Sequence, residues 1–169
     1  NENLTNKLKA ILEVSKVLSN IHSRNITHRD LSTSNILVDN DKEVYIVDFG
    51  LAQLANKKII QKKCGTLEYL PPERFYEGNI KCDHKSDIAS LGYIAYEILT
   101  KKKPIDLKNL TIKESWYKIK NRNKIPTLLE KNKNISRQLK NLIRKMTSKR
   151  INKRPTSEHV TEELKKLTK

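Results

Sequence analysis

Two short segments of the sequence hold the side chains best suited to chemistry. The first reads His-Arg-Asp-Leu-Ser-Thr-Ser-Asn over residues 28–35, and the second reads Asp-Phe-Gly over residues 48–50. Asp30 and Asn35 lie within one short turn, and a hairpin between the segments would return Asp48 beside them. Carboxylate and amide oxygens that converge suit a hard cation such as Mg²⁺, which takes further ligands from substrate phosphates. We therefore predict one pocket that contains all three side chains.

The elements that must position these residues follow from the apolar pattern. Residues 35–38 and 44–47 are short runs rich in strand-forming residues, and the turn-forming run Asp-Asn-Asp-Lys between them predicts a hairpin. Residues 48–73 hold two glycines and two prolines without a clean period, which predicts a long loop. Long ordered loops in compact domains are usually functional.

Apolar spacing of three and four residues predicts the helices. They are expected over residues 4–22 and from starts at or near Ser86, Thr111, Ser136 and Thr156. The helix after Thr111 should face inward through Ile112, Trp116 and Ile119. No internal repeat or low-complexity linker divides the chain. We predict one mainly α (α+β) domain over residues 1–169, a helical bundle with a small hairpin near its start.

The net charge of +16 is unevenly distributed. Residues 1–99 carry 13 basic and 13 acidic side chains, whereas residues 100–169 carry 22 basic and 6 acidic ones. Such a tail could attract phosphate backbones. Its basic residues are not interleaved with the aromatic residues that single-strand binding uses, so nucleic acid is not the expected partner.

Several classes of protein are excluded or disfavoured. No run approaches the roughly 18 apolar residues of a membrane helix, and the N-terminus lacks the apolar core of a signal peptide. The two cysteines, Cys64 and Cys82, have neither zinc-site spacing nor a disulfide framework. Reduced thiols favour a cytoplasmic protein.

Together the motifs resemble the signature set of the protein kinase family, His-Arg-Asp-Leu-x-x-x-Asn, Asp-Phe-Gly and Ala-Pro-Glu. Residues 28–35, here called the HRD loop, match the first motif at every specified position, and residues 48–50 match the second. Residues 71–73 (Pro-Pro-Glu) stand at the third. Residues 86–92 are similar to the buried helix that supports the catalytic loop, and 154–156 to the start of the last helix.

The resemblance implies phosphoryl transfer from ATP to a protein substrate. Asp30 would accept or orient the proton of the attacking hydroxyl, while Asn35 and Asp48 would hold Mg²⁺ on the nucleotide phosphates. Leu37 matches the position that floors the adenine pocket, and Val47 precedes the metal-binding aspartate. These five residues are the predicted catalytic, metal and nucleotide site.

The resemblance also implies supporting contacts. His28 should be structural, Asp87 should accept amide protons of the HRD loop, and Thr66 should bond near Asp30. Glu73 and Arg154 occupy positions that form a buried ion pair in the family.

Two departures concern charge near the site. Ser32 stands where serine/threonine members usually carry a lysine that contacts the transferred phosphate. Arg29 matches an arginine that commonly pairs with a phosphorylated loop residue, yet residues 51–64 contain no Ser, Thr or Tyr. We therefore predict that phosphorylation in that segment does not switch the protein.

A further departure is that the sequence lacks the family's Gly-rich loop. Only 27 residues precede His28, and no two of the four glycines are two apart. The resemblance therefore covers the C-terminal, helical lobe, with the N-terminal β-lobe absent. That lobe becomes an expected partner, and the chain alone should be inactive.

Three functions remain open at this stage. The first is serine/threonine protein kinase activity, which the Gly65-Thr66 segment favours over tyrosine specificity. The second is an inactive kinase-like lobe that acts as a protein-binding scaffold. The third is a small-molecule kinase of related fold, which as a rule lacks the segment 65–73 and the Arg154-Pro motif.

Overall fold

The computed structural model describes residues 2–57, 64–76, 83–122 and 128–168. Its helices and strands follow in chain order: α1 (Glu2–Ser23), β1 (Ile26–Thr27), β2 (Ile36–Val38), β3 (Val44–Ile46), β4 (Gln53–Leu54), α2 (His84–Thr100), α3 (Ile112–Lys120), α4 (Leu128–Lys131), α5 (Arg137–Met146) and α6 (Ser157–Leu167). The described part is mainly helical, as predicted. No helix in these ranges is long and apolar enough to cross a membrane.

Helix α2 forms the centre of the core. Its side chains at Ile88, Leu91 and Ile94 are completely buried, and α1 and α5 pack against it while α6 packs on α1. The sequence predicted its start near Ser86, but the helix begins two residues earlier. The cause is Asp83, whose side chain accepts a hydrogen bond from the Lys85 N–H and caps the first turn.

The predicted caps at Thr111 and Thr156 are confirmed, and so is the predicted helix start near Ser136, which is itself an N-cap. Thr111 and Glu114 form the predicted capping box, in which Glu114 Oε2 accepts from Thr111 N at 2.7 Å. The expected inward face of α3 is partly wrong, because Ile112 is 64% exposed while Ile119 is fully buried. The apolar cluster beneath α3 includes Ile119, with Trp116 packed at its edge, and does not extend to the first turn.

The hairpin of β2 and β3 is antiparallel, and Leu37 lies opposite Tyr45. A second antiparallel pair joins β1 to β4 and was not predicted, since it falls partly within the expected loop. Two 3-10 turns, Leu67–Tyr69 and Pro72–Phe75, also lie in that loop. These short elements hold the loop against α2 and α3. Residues 58–63 of the predicted loop lie outside the described residues.

Candidate active site

Asp87 anchors the HRD loop from the first turn of α2. Its Oδ2 accepts a hydrogen bond from His28 N at 2.7 Å, and its Oδ1 accepts one from Arg29 N at 2.9 Å. His22 Nε2 lies 3.0 Å from the same Oδ2. Burial disfavours the charged form of Asp87, but these hydrogen bonds outweigh it and hold its pKa below the ordinary value. The predicted supporting role of Asp87 is confirmed.

His22 was not identified from the sequence, although it connects three helices. Its Nδ1 lies 3.1 Å from Ser157 Oγ at the start of α6, and its ring stacks on His84 with centroids 4.3 Å apart. Burial and the neighbouring His22 lower the pKa of His84. Nothing local marks His22, because its partners Asp87 and Ser157 lie far along the chain.

His28 has the structural role that the sequence predicted. The ring is completely buried, and Nδ1 accepts from Asp30 N at 3.3 Å. Its Nε2 must then carry the proton and donate to Val47 O at 2.9 Å. This neutral ring ties the HRD loop to the end of the hairpin and is not free to act as a base.

Asp30 is oriented by Thr66, which lies within the long loop of residues 48–73. Its Oδ1 accepts from Thr66 N at 2.7 Å and from Thr66 Oγ1 at 2.9 Å, as the resemblance implied. A Cβ on Gly65 would lie 3.1 Å from that oxygen, and Gly65 has φ 108°, so the close approach requires glycine. Both hydrogen bonds fall on Oδ1, which makes Oδ2 the atom that could accept a proton.

Asn35 and Asp48 are brought together by the hairpin. Asn35 Nδ2 donates to Asp30 O at 2.9 Å, so its Oδ1 is the atom that could bind a metal. Val47 N donates to Asn35 O at 3.0 Å, which places the exposed Asp48 next to that residue. Asp48 has φ 61°, a conformation that non-glycine residues seldom adopt outside special sites.

The ligand chemistry fits a cation shared with a substrate. Within the described residues no three His, Cys, Asp or Glu side chains cluster as a metal site of their own. Asn35 and Asp48 offer two hard oxygen ligands, and Mg²⁺ commonly combines one or two such ligands with substrate phosphates and water. The donor chemistry of Asn35 and Asp48 is compatible with the predicted Mg²⁺ role.

The predicted nucleotide residues lie on an open apolar surface. Leu37 is 52% exposed and its cross-strand neighbour Tyr45 is 50% exposed. Val38 and Phe49 are also exposed, whereas Val47 is half-buried. The hairpin therefore presents large apolar side chains to solvent beside Asp48.

Glu73 and Arg154 form the predicted buried ion pair. Arg154 donates through Nη1 and Nη2 to the two carboxylate oxygens at 2.5 and 2.7 Å, and both side chains are at most 2% exposed. Ser86 Oγ also donates to Glu73 at 3.0 Å. Arg154 donates further to the carbonyl oxygens of Lys85 and Ser148. The pair joins the loop after Thr66 to α2 and to the segment before α6.

Arg29 is held by groups of this chain. Its Nη1 donates to Gln53 Oε1 at 2.9 Å and to Leu51 O at 3.1 Å. Gln53 was missed in the sequence because β4 has only two residues and no pattern. Ser32 is completely buried, and its hydroxyl has no hydrogen-bond partner within the described residues. A serine hydroxyl carries no charge, and at this depth Ser32 is also out of reach of a substrate.

Comparison with known proteins identifies the family. The model of the protein kinase domain matches residues 3–164 of this chain, so the chain belongs to the protein kinase family. It is 37% identical over 115 residues to the proline-rich receptor-like protein kinase PERK1 of Arabidopsis thaliana, a match that covers 64% of this chain and 17% of that protein.

Two further relatives support the assignment. The chain is 41% identical over 106 residues to ankyrin repeat and protein kinase domain-containing protein 1 of Mus musculus, covering 58% of the chain and 14% of the relative. It is 28% identical over 162 residues to serine/threonine-protein kinase STY46 of Arabidopsis thaliana, covering 95% and 27%. The matches thus span less than a third of each of the three relatives.

Proposed function

We propose that this protein transfers the terminal phosphoryl group of ATP to serine or threonine hydroxyls of proteins, with Asp30 as the catalytic base. The observation that carries the proposal is the orientation of Asp30 by both donors of Thr66. A fixed carboxylate with one oxygen free of these bonds suits proton acceptance from a hydroxyl. The relatives whose names include protein kinase favour protein over small-molecule substrates.

Asn35 and Asp48 are proposed to hold Mg²⁺, which would neutralise charge on the phosphates. The bond from Asn35 to the backbone of Asp30 couples the ligand residue to the base, so both keep one relative position. Val47 and Leu37 are proposed to contact the nucleotide. The exposed apolar side chain of Leu37 is suited to the face of a purine ring.

The nucleotide site is proposed to be completed by a β-rich lobe with a Gly-rich loop, contributed from outside these 169 residues. The described residues provide an apolar surface for one face of the nucleotide and none for the opposite face. ATP would therefore bury little of its surface on them. We expect the 169-residue chain by itself to bind ATP·Mg²⁺ more weakly than a complete kinase domain and to be inactive.

Serine or threonine is proposed as the acceptor because Thr66 occupies the position that the resemblance linked to this specificity. The printed name of STY46 describes that relative as a serine/threonine-protein kinase. Ser32 is buried where the resemblance places a lysine, so Ser32 is not proposed to contact the transferred phosphate.

The test is the Asp30→Asn variant of the protein together with its complementary lobe. The side chain keeps its shape and still accepts from Thr66, so turnover should fall by about 10²–10⁴ without loss of stability. Asp48→Asn should instead raise the Mg²⁺ concentration needed for half-maximal rate. Asp41→Asn, on the exposed hairpin turn, is the matched control and should keep full activity. Equal turnover of Asp30→Asn and the parent would contradict the proposal and favour the scaffold alternative.

A further inference from the structure

A hydrogen-bonded cluster beside the HRD loop has no part in the chemistry proposed for Asp30. It consists of Thr33, Tyr69, Glu97 and Lys103, here called the Tyr69 cluster. The Tyr69 ring is 1% exposed, and its hydroxyl donates to Glu97 Oε2. The Tyr69 hydroxyl oxygen also accepts from Lys103 Nζ at 2.7 Å and from Thr33 Oγ1 at 2.8 Å, so its one proton and both lone pairs are in use.

The cluster lies at the edge of the proposed acceptor site. Thr33 belongs to the HRD loop, between Asp30 and Asn35. Tyr69 lies one turn beyond Thr66, since Tyr69 N donates to Thr66 O at 3.1 Å, and Thr66 bonds Asp30. A protein segment whose hydroxyl reaches Asp30 therefore passes close to this cluster.

Lys103 forms an ion pair with Glu97, the one carboxylate of the Tyr69 cluster. Its Nζ lies 3.1 Å from Glu97 Oε1 and 5.0 Å from the centre of the Tyr69 ring. The hydrogen bond with Tyr69 and the neighbouring Glu97 raise the pKa of Lys103, so it stays charged at neutral pH. The side chains of Lys103 and Glu97 are 49% and 22% exposed. The pair is thus open to an incoming chain, and Glu97 is not free to bind a substrate cation.

The surroundings add positive charge. Lys101 and Lys102 precede Lys103 and are exposed, and residues 98–105 contain no acidic side chain. The nearest acid along the chain is Asp106, whose Oδ1 accepts from Lys108 N. Glu97 is paired with Lys103, and Lys101 and Lys102 add two exposed ammonium groups next to that pair in the chain.

We propose that Lys103 gives this protein a preference for acceptor segments with an acidic residue beside the serine or threonine. The inference rests on the proposed function, because it concerns the substrate of the same site. A substrate carboxylate next to the acceptor hydroxyl would bind the Lys103 ammonium together with Glu97 and would be attracted by Lys101 and Lys102. A substrate lysine or arginine next to the acceptor would be repelled by these lysines, and Glu97 is already paired with Lys103.

Binding of two peptides tests the preference without requiring turnover. Fluorescein-labelled peptides with one central serine, flanked by aspartate in one and by lysine in the other, are titrated with the purified chain at low salt. The aspartate peptide should bind about tenfold tighter. Lys103→Met should reduce that ratio roughly threefold, because each exposed ion pair contributes little. Lys103→Glu should remove or reverse the preference, and Lys103→Arg should retain it.

The matched control is Lys166→Met. Lys166 is also an exposed lysine paired with a glutamate, with Nζ 2.7 Å from Glu163 Oε1, but it lies on α6. The Lys166→Met variant should leave the ratio of the two peptide affinities unchanged. Equal affinity of the parent chain for both peptides, or the same ratio in Lys103→Glu as in the parent, would overturn the inference. Thermal unfolding of each variant checks that the fold is retained.

Phosphorylation of the same peptides separates this inference from the proposed function. Turnover of the aspartate peptide in preference to the lysine peptide, in the presence of the complementary lobe, supports both. Turnover without a charge preference would overturn the role of Lys103 alone. A charge preference in binding with no turnover of either peptide would contradict the proposed function and leave the binding role of Lys103 supported.

Discussion

Behind the HRD loop the charged side chains are buried and paired, whereas on the hairpin the large apolar side chains face solvent. Asp87, Glu73 and Arg154 are at most 2% exposed, and each bonds groups far along the chain. Leu37 and Tyr45 are about half exposed, although both precede Asp48 on the hairpin. The two regions of one site thus follow opposite patterns of burial.

The contrast distinguishes a region whose contacts are made within this chain from a surface that could bind another molecule. A buried charge is stable only where partners are already in place, so the region behind the HRD loop is complete within the described residues. A solvent-facing apolar surface gains by being covered, which makes the hairpin suited to a nucleotide or to another segment. The proposed acceptor side is therefore preformed, whereas the proposed nucleotide side is open.

The largest effect is expected from breaking the buried ion pair. Glu73→Gln leaves the Arg154 guanidinium buried without a countercharge and should lower the free energy of unfolding by about 3–5 kcal/mol. Urea denaturation of the purified chain measures it. Glu163→Gln, which breaks the exposed pair with Lys166, is the control and should change little. A loss no larger than that of the control would show that the region behind the loop does not depend on the pair.

A smaller effect is expected at Asp87, where the backbone of the HRD loop is held. Asp87→Asn turns an amide N–H₂ towards the N–H of His28 or Arg29, and should cost about 1–3 kcal/mol. Because the folded pKa of Asp87 lies below its unfolded value of about 3.9, its contribution is complete above that pH. It is lost as the pH falls through the folded pKa.

The free energy of unfolding, measured from pH 6 down to pH 2, tests whether the stabilisation by Asp87 is lost in acid. The parent should lose more stability below about pH 4 than Asp87→Asn does, so the two curves should converge in acid. Parallel curves would mean that the ionisation of Asp87 does not stabilise the loop.

The sequence predicted those parts of the molecule that local chemistry determines. The capping box of Thr111 and Glu114 is readable because its partners are three residues apart, and the Glu73–Arg154 pair was implied by the family resemblance. The β1–β4 pair was not predictable, since two residues per strand show no period. The contacts of His22 and Lys103 depend on residues brought together only by the fold. Apolar spacing predicted the inward face of α3, but it could not predict that the cluster beneath that face ends before Ile112, which is exposed.

The smallest effect on stability is expected on the hairpin. Leu37→Thr keeps a strand-forming side chain at a half-exposed position, and should change the free energy of unfolding by less than about 0.5 kcal/mol. The matched change Leu91→Thr, at a completely buried leucine of α2, should cost about 3 kcal/mol. Calorimetric titration with ATP·Mg²⁺ in the presence of the complementary lobe should show weaker binding for Leu37→Thr, because the polar side chain removes apolar contact with the purine. Equal losses of stability in the two variants would mean that the hairpin is part of the core and would remove the contrast on which the open nucleotide side rests.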